Sequence, residues 1–154
     1  MTGASTDQIS ENYHLPADRH YDKQHHIWAK LDLDTGRVTV GIDTLGLASL
    51  GDLAYVSLQA VGVPITRGES IGVLEAAKMT GDLIAPISGT VVERNEAVLR
   101  DPYLVNTNPY DKGWIVAIEP ADWANEATAL VSGEALPAWL AAEIERYRAE
   151  GWID

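Results

Sequence analysis

Residues 68–89 read GESIGVLEAAKMTGDLIAPISG. Two short apolar stretches, Ile71–Leu74 and Leu83–Ile87, flank a small-residue turn that carries Lys78. Gly68 stands ten residues before that lysine and Gly89 eleven after it. The spacing predicts a chain folded back on itself, with glycine-marked strand ends on both sides and Lys78 at or near the tip of a β-hairpin. From 61 to 93 apolar stretches are cut by Gly and Pro at close intervals, the texture of a small sandwich or barrel of short strands. No unit recurs three or more times at a fixed period, so the pattern is not a solenoid.

Outward from this segment the same class continues. Ile27, Ala29, Leu31 and Leu33 alternate, as do Val38, Val40 and Ile42, around a turn at Asp34-Thr35-Gly36, which predicts a hairpin. Asp43 is placed to cap a short helix over 43–50 that Gly51 stops. LAYVSL (53–58) reads as a strand. Asn95 caps a helical stretch over 95–105 that Pro102 interrupts, and 113–119 reads as the last strand, with Trp114 in the core. From Leu136 to Ala149, Leu136, Leu140, Ile144 and Tyr147 recur at helical spacing, predicting an amphipathic helix that docks on the barrel or on a second copy. Glu143–Arg146 and Glu145–Arg148 are expected as i,i+3 pairs on its wet side. The expected organisation is a polar arm over 1–20, one domain over 21–135 and a C-terminal helix and tail over 136–154. The fold class is α+β, mostly β.

Composition removes whole classes of function. The 154 residues carry 23 acids against 11 Lys and Arg, a formal charge of −12, which disfavours nucleic acid and anionic membrane as partners. No run is long enough to cross a bilayer. Cysteine is absent, which excludes disulfides, thiolate metal sites and thiol nucleophiles. Residues 1–18 have neither a basic start nor an apolar run, and they lack arginine, so a cytoplasmic location is expected. His14, His20, His25 and His26 gather near the N-terminus, but without cysteine no metal site is expected, and His26 is expected to pack with Trp28. Ser57 and Ser88 have no histidine and acid placed for a triad, so no catalytic residue is assigned.

Lysine is scarce: Lys23, Lys30, Lys78 and Lys112 are the whole set. A four-carbon stem with one amine suits an amide-linked swinging arm, and acylation would remove its charge. On spacing alone Lys78 reads as an ordinary surface lysine in a turn.

Several separated motifs go further. They are His26-Ile27-Trp28, Val38-Thr39-Val40-Gly41-Ile42, Leu50-Gly51-Asp52-Leu53-Ala54-Tyr55-Val56, Glu75-Ala76-Ala77-Lys78, Ala85-Pro86-Ile87-Ser88-Gly89, Pro102-Tyr103-Leu104-Val105-Asn106 and Asp111-Lys112-Gly113-Trp114-Ile115. In this order, from about Tyr21 to Ala135, the chain resembles the H protein of the glycine cleavage system, a family of lipoyl carriers in the biotinyl/lipoyl superfamily. The resemblance implies a flattened barrel-sandwich of two small antiparallel sheets with edge helices. It implies lipoate amide-linked to Lys78, Glu75 recognised by a lipoate ligase or lipoyl transferase, and His26 near the arm. The carrier is not itself an enzyme; its arm visits glycine decarboxylase, aminomethyltransferase and dihydrolipoyl dehydrogenase.

The chain departs from the family pattern at Ile27 (Glu in H-E-W), at Ala76-Ala77 (S-V) and at Met79. H-like carriers also serve heterodisulfide-reductase-like complexes in sulfur oxidation, which is the alternative within the class. A biotin carrier, suggested by Ala77-Lys78-Met79, or an unmodified binding module is the alternative outside it.

Overall fold

In the computed structural model, which describes residues 13–154, the segment around Lys78 is a two-stranded hairpin. Its strands are β6 (Ser70–Ala76) and β7 (Thr80–Ile84), paired antiparallel with Leu74 opposite Gly81 and Glu75 opposite Thr80. β4 (Leu53–Leu58) lies on the other side of β6 and completes a three-stranded sheet in the order β4-β6-β7. A six-stranded sheet faces it. That sheet comprises β1 (His20–Tyr21), β2 (Ile27–Leu31), β3 (Val38–Ile42), β9 (Val116–Pro120), β8 (Gly89–Arg94) and β5 (Pro64–Ile65), in that spatial order and antiparallel throughout. Inward side chains of both sheets, among them Val40, Val56, Ile71, Leu83, Val91 and Ile118, form one core. The expected mostly-β sandwich is the fold observed.

β2 is buried on both faces. Ile27 and Ala29 enter the core between the sheets, while Trp28, one residue out of phase, enters a second cluster with Tyr21, Leu45, Leu140, Ile144 and Tyr147. Gly41 stands opposite Trp28 in the β2–β3 register, and a Cβ there would collide with the indole, so glycine makes room for the largest side chain of that face. The Trp28 Nε1–H donates to the Pro109 carbonyl at 3.0 Å, and the Arg19 guanidinium covers the ring at 4.6 Å.

The predicted caps are present. α1 (Thr44–Leu50) starts at Asp43, whose Oδ1 accepts from the Gly46 N–H at 2.9 Å, and ends at Gly51 with φ 80°. Asn95 caps α2 (Glu96–Arg100), and α3 (Leu104–Thr107) follows beyond Pro102. A short α4 (Trp123–Glu126) leads towards α5 (Leu136–Ala149), which buries Leu136, Leu140, Ile144 and Tyr147 as their spacing requires. The helix docks on the barrel of its own chain through the second cluster.

Several expectations are corrected. β2 ends at Leu31, and Leu33 is 89% exposed, because Asp32 closes the connection by accepting the Asp34 N–H on its side chain and the Gly36 N–H on its carbonyl. The last strand starts at Val116, since Gly113 and Trp114 are held in a turn by Asn108, Asp111 and the Asn95 amide. Trp114 is half-buried against the second cluster and lies outside the main core. Glu143 is buried on the inner face of α5, not on its wet side, and Arg148 donates to the Asp154 carbonyl at 3.0 Å in place of pairing with Glu145. Of the expected arm over 1–20, residues 1–12 lie outside the described residues; Leu15 and Arg19 pack against the barrel.

Leu140 is 7% exposed. Leu140→Ala is expected to cost on the order of 2–5 kcal/mol, read as a lowered denaturant midpoint with an unchanged m-value.

Candidate functional site

Lys78 sits at the tip of the β6–β7 hairpin, and the backbone around it is fixed. The Ala76 N–H donates to the Met79 carbonyl at 3.0 Å, closing the turn. The Ala77 N–H donates to the Asp52 carbonyl and the Lys78 N–H to the Leu50 carbonyl, both at 2.9 Å. The hairpin tip is thus tied to the connection between α1 and β4. Gly51 lies directly beneath: a Cβ there would come within 3.2 Å of Lys78 Cγ. Asn106 holds this connection from below, its Oδ1 accepting from the Leu53 N–H at 2.9 Å and its Nδ2 donating to the Gly51 carbonyl at 3.1 Å.

The Lys78 side chain is exposed, and its Nζ donates to the Ala48 carbonyl at 2.8 Å, in the last turn of α1. Glu75 points away from the core on β6, with Tyr55 opposite on one side and Thr80 on the other. Beside Lys78 opens a groove of about 840 Å³. Ile27, Ile42, Leu50, Leu74 and Ile84 give it an apolar floor. Met79 and Asp82 stand on the hairpin side, and Tyr147 with Gly151–Asp154 form the far wall.

His26 does not line this groove; its neighbours His25 and Ile27 do. Its ring pairs are with Trp139 and Tyr147. Its backbone is left-handed, with φ 57°, and its ring is fully buried beside the second cluster, the one that also holds Trp28. There it stacks on Trp139 at 4.9 Å between centroids and meets Tyr147 edge-on at 5.0 Å. Nδ1 lies 2.8 Å from Asp43 Oδ2, and Nε2 lies 2.8 Å from Glu143 Oε1. Arg146 donates to both oxygens of Glu143, at 2.9 and 2.8 Å. Carboxylates only accept, so a ring that satisfies both is the doubly protonated imidazolium. Burial disfavours that cation, but the hydrogen bonds and charges of Asp43 and Glu143 outweigh it and raise the His26 pKa. Partial burial likewise pushes the Glu143 carboxyl up, and the bonds from Arg146 and His26 outweigh it and lower its pKa.

Sequence reading placed Lys78 and Glu75 on the hairpin. It missed Ala48 and Asn106, which hold the lysine and its platform, and the chain end that walls the groove. Asn106 was legible only as part of a motif, and the Ala48 contact is a carbonyl, which no side-chain pattern reports. Among the described residues no cluster of His, Asp and Glu is arranged to hold a metal, and no helix is long and apolar enough to cross a membrane.

The model of one protein family, described as glycine cleavage H-protein, matches residues 19–143. The chain belongs to the glycine cleavage H-protein family. It is 42% identical over 120 residues to the glycine cleavage system H protein of Carboxydothermus hydrogenoformans, covering 78% of this chain and 89% of that one. It is 36% identical over 132 residues to glycine cleavage system H protein 2 of Aquifex aeolicus, covering 86% and 81%. The crystal structure of a glycine cleavage system H protein from Mycobacterium marinum superposes with a TM-score of 0.72 at 34% identity, covering 85% of this chain and 99% of that one. H proteins are lipoyl carriers, and the family holds its lipoate covalently on a lysine.

The His26 cluster sets a pH dependence. With its folded pKa raised above the ordinary value of 6.5, His26 contributes stability that is fully present below pH 6.5 and lost as pH rises through the folded pKa. Glu143, lowered from 4.5, contributes above that value and loses its contribution as pH falls through its folded pKa. Unfolding free energy is therefore expected to decline above pH 6.5, with a slope of at most about 1.4 kcal/mol per pH unit from one proton. Urea titrations from pH 5 to 9 check this, with His26→Asn expected to flatten the decline.

Proposed function

We propose that this chain is a non-catalytic lipoyl carrier of glycine cleavage, with lipoate amide-linked to Lys78 Nζ. The observation that supports this best is the Lys78 hairpin: a fixed backbone tip, an exposed amine, and an apolar groove next to it. The residues fit the group. Amidation of Nζ removes its charge but leaves one N–H, which is enough to keep the bond to the Ala48 carbonyl. The apolar floor from Ile27 to Ile84 suits an aliphatic arm, and a chain without cysteine offers no thiol to trap a disulfide ring. When bound, the group supplies a sulfur pair that accepts and releases cargo and electrons.

The residues of this chain present, shelter and address that group. Glu75, three residues before Lys78 and exposed on the same hairpin, is read by the lipoate ligase or lipoyl transferase. The acidic surface steers the carrier to positively charged rims on glycine decarboxylase, aminomethyltransferase and dihydrolipoyl dehydrogenase. The carrier acts in the cytoplasm, and the carrier domain spans 21–135 with the C-terminal helix packed on it.

Lys78→Arg tests the assignment. The substitution keeps charge and exposure, so stability is expected to change by less than about 0.5 kcal/mol. Intact mass is expected to show one lipoyl group on the wild type and none on the variant when each is incubated with a lipoate ligase. A lipoyl group on the variant, or biotin on the wild type, overturns the reading.

A further inference from the structure

The family match ends at residue 143, and the turn that follows α5 lies beyond it. Gly151, at φ 78°, takes the chain out of α5 in a left-handed conformation that glycine adopts without strain. The Trp152 N–H donates to the Tyr147 carbonyl at 2.9 Å, Arg148 Nε donates to the Asp154 carbonyl at 3.0 Å, and Ile153 is buried. The turn is therefore fixed, and Trp152 is the large side chain it shows to solvent.

The Trp152 ring meets Tyr147 edge-on at 5.0 Å and lies under the Arg146 guanidinium at 5.5 Å. It is nevertheless 44% exposed, and Met79, the residue after the attachment lysine, is 50% exposed. Both border the same opening beside the Lys78 tip. A single exposed apolar side chain needs no explanation; two beside one functional lysine do. What surrounds them is acidic: Glu75 and Asp82 are exposed on the hairpin, Glu150 and Asp154 at the turn. The bases close by are engaged. Arg146 donates to Glu143, Arg148 donates to the Asp154 carbonyl, and His25 lies 3.1 Å from Asp22. Lys78 itself loses its charge on acylation.

We infer that Trp152 and Met79 form a docking patch for the enzyme that loads the arm, and that the patch fits an apolar recess rimmed by Lys or Arg. This rests on the carrier reading above. Aromatic residues and Met are enriched at interfaces, and Trp leads among those whose truncation costs most binding energy. A ring already held in one orientation adds little ordering cost on association. A standard interface takes about 20–30 residues a side, far more than the tip from Ala76 to Thr80, so an enzyme centred on Lys78 also covers what stands beside it. Loading by decarboxylation passes through an electron-rich carbon that water would protonate, which requires a site closed over the tip. The acids argue against other occupants. Two copies of a chain of charge −12 would meet here carboxylate to carboxylate, and an anionic membrane would repel the same face. The patch is thus a determinant of partner choice that sits outside the family-matched segment.

The test uses the full chain without lipoate, verified by intact mass, so that no arm takes part. Unlipoylated wild type is expected to compete with lipoylated wild type for glycine decarboxylase, read as inhibition of carrier-dependent release of carbon dioxide from glycine. Trp152→Ala is expected to raise the inhibition constant about tenfold or more, the order that truncating an interface anchor confers. Trp152→Phe, which keeps a ring in the turn, is expected to raise it by about threefold or less. Hydroxyl-radical footprinting of the unlipoylated wild type, read by peptide mass spectrometry, needs no variant and so does not depend on the turn surviving a substitution. Oxidation of Trp152 and Met79 is expected to fall several-fold when the decarboxylase is added, and to stay unchanged at Leu33, which is 89% exposed beyond the far end of β2. An unprotected Trp152, no inhibition by the wild type, or an unchanged constant in Trp152→Ala overturns the inference. Protection that appears on raising the concentration of the chain alone assigns the patch to a second copy and overturns it too. A lipoylated wild type that the decarboxylase cannot load overturns the carrier reading itself; the footprint involves no arm and reports on the patch separately.

Discussion

Both sides of the groove beside Lys78 meet at one buried cation. The His26 imidazolium binds Asp43 on one edge and Glu143 on the other. Asp43 is also the N-cap of α1, and α1 ends in the Ala48, Leu50 and Gly51 backbone on which the lysine hairpin rests. Glu143 belongs to α5, whose C-terminal turn supplies the opposite wall. Removing either carboxylate would leave a buried charge short of a partner, which costs more than an exposed pair ever contributes. The ring must also leave the ordinary direction of β2 to reach both acids, and the left-handed backbone at His26 does this. The strain of that conformation, about 1–3 kcal/mol, persists because two charge-assisted hydrogen bonds and two aromatic contacts fix the ring.

How much was legible follows from the range of each interaction. The Lys78 hairpin, the Asp43 and Asn95 caps and the Leu136–Tyr147 stripe are local patterns of period two, of cap position or of helical spacing, and each is observed where it was expected. Glu143 was misread for an equally definite reason. An acid three residues before Arg146 is usually a solvated pair, and that pair does form. What buries Glu143 is His26, 117 positions away in the chain, and no local pattern carries that contact. The same holds for Trp152: it lines the groove from the segment after α5, and only the packing of that helix brings it there.

Ile27 carries a related lesson. Read as a rim position, it would be a missing charge; in the fold it is 4% exposed and forms the groove floor. A glutamate in that place would bring a carboxylate into an apolar setting, near Leu74 and Ile42, at the desolvation cost that such burial carries unless a cation pairs with it. The departure from the family pattern therefore changes the chemistry of the groove more than the charge of the surface.

A carrier has to satisfy opposing requirements, and the geometry separates them by atom. The backbone at 77 and 78 is fixed by two hydrogen bonds to the 50–52 connection, so the position of the tip is not paid for again at each encounter. Beyond Cγ the Lys78 side chain is held by one hydrogen bond, to Ala48, worth about 0.5–1.5 kcal/mol net. A contact of that size holds a side chain about two- to tenfold in favour of the docked position, since about 1.4 kcal/mol is a factor of ten. An apolar seat adds about 25 cal/mol for each Å² of arm it covers, so modest coverage deepens docking without locking it. Docking of a few kcal/mol is enough to keep an arm sheltered between encounters. It is also small against the energy of a standard protein–protein interface, so a partner that binds the hairpin can draw the arm out.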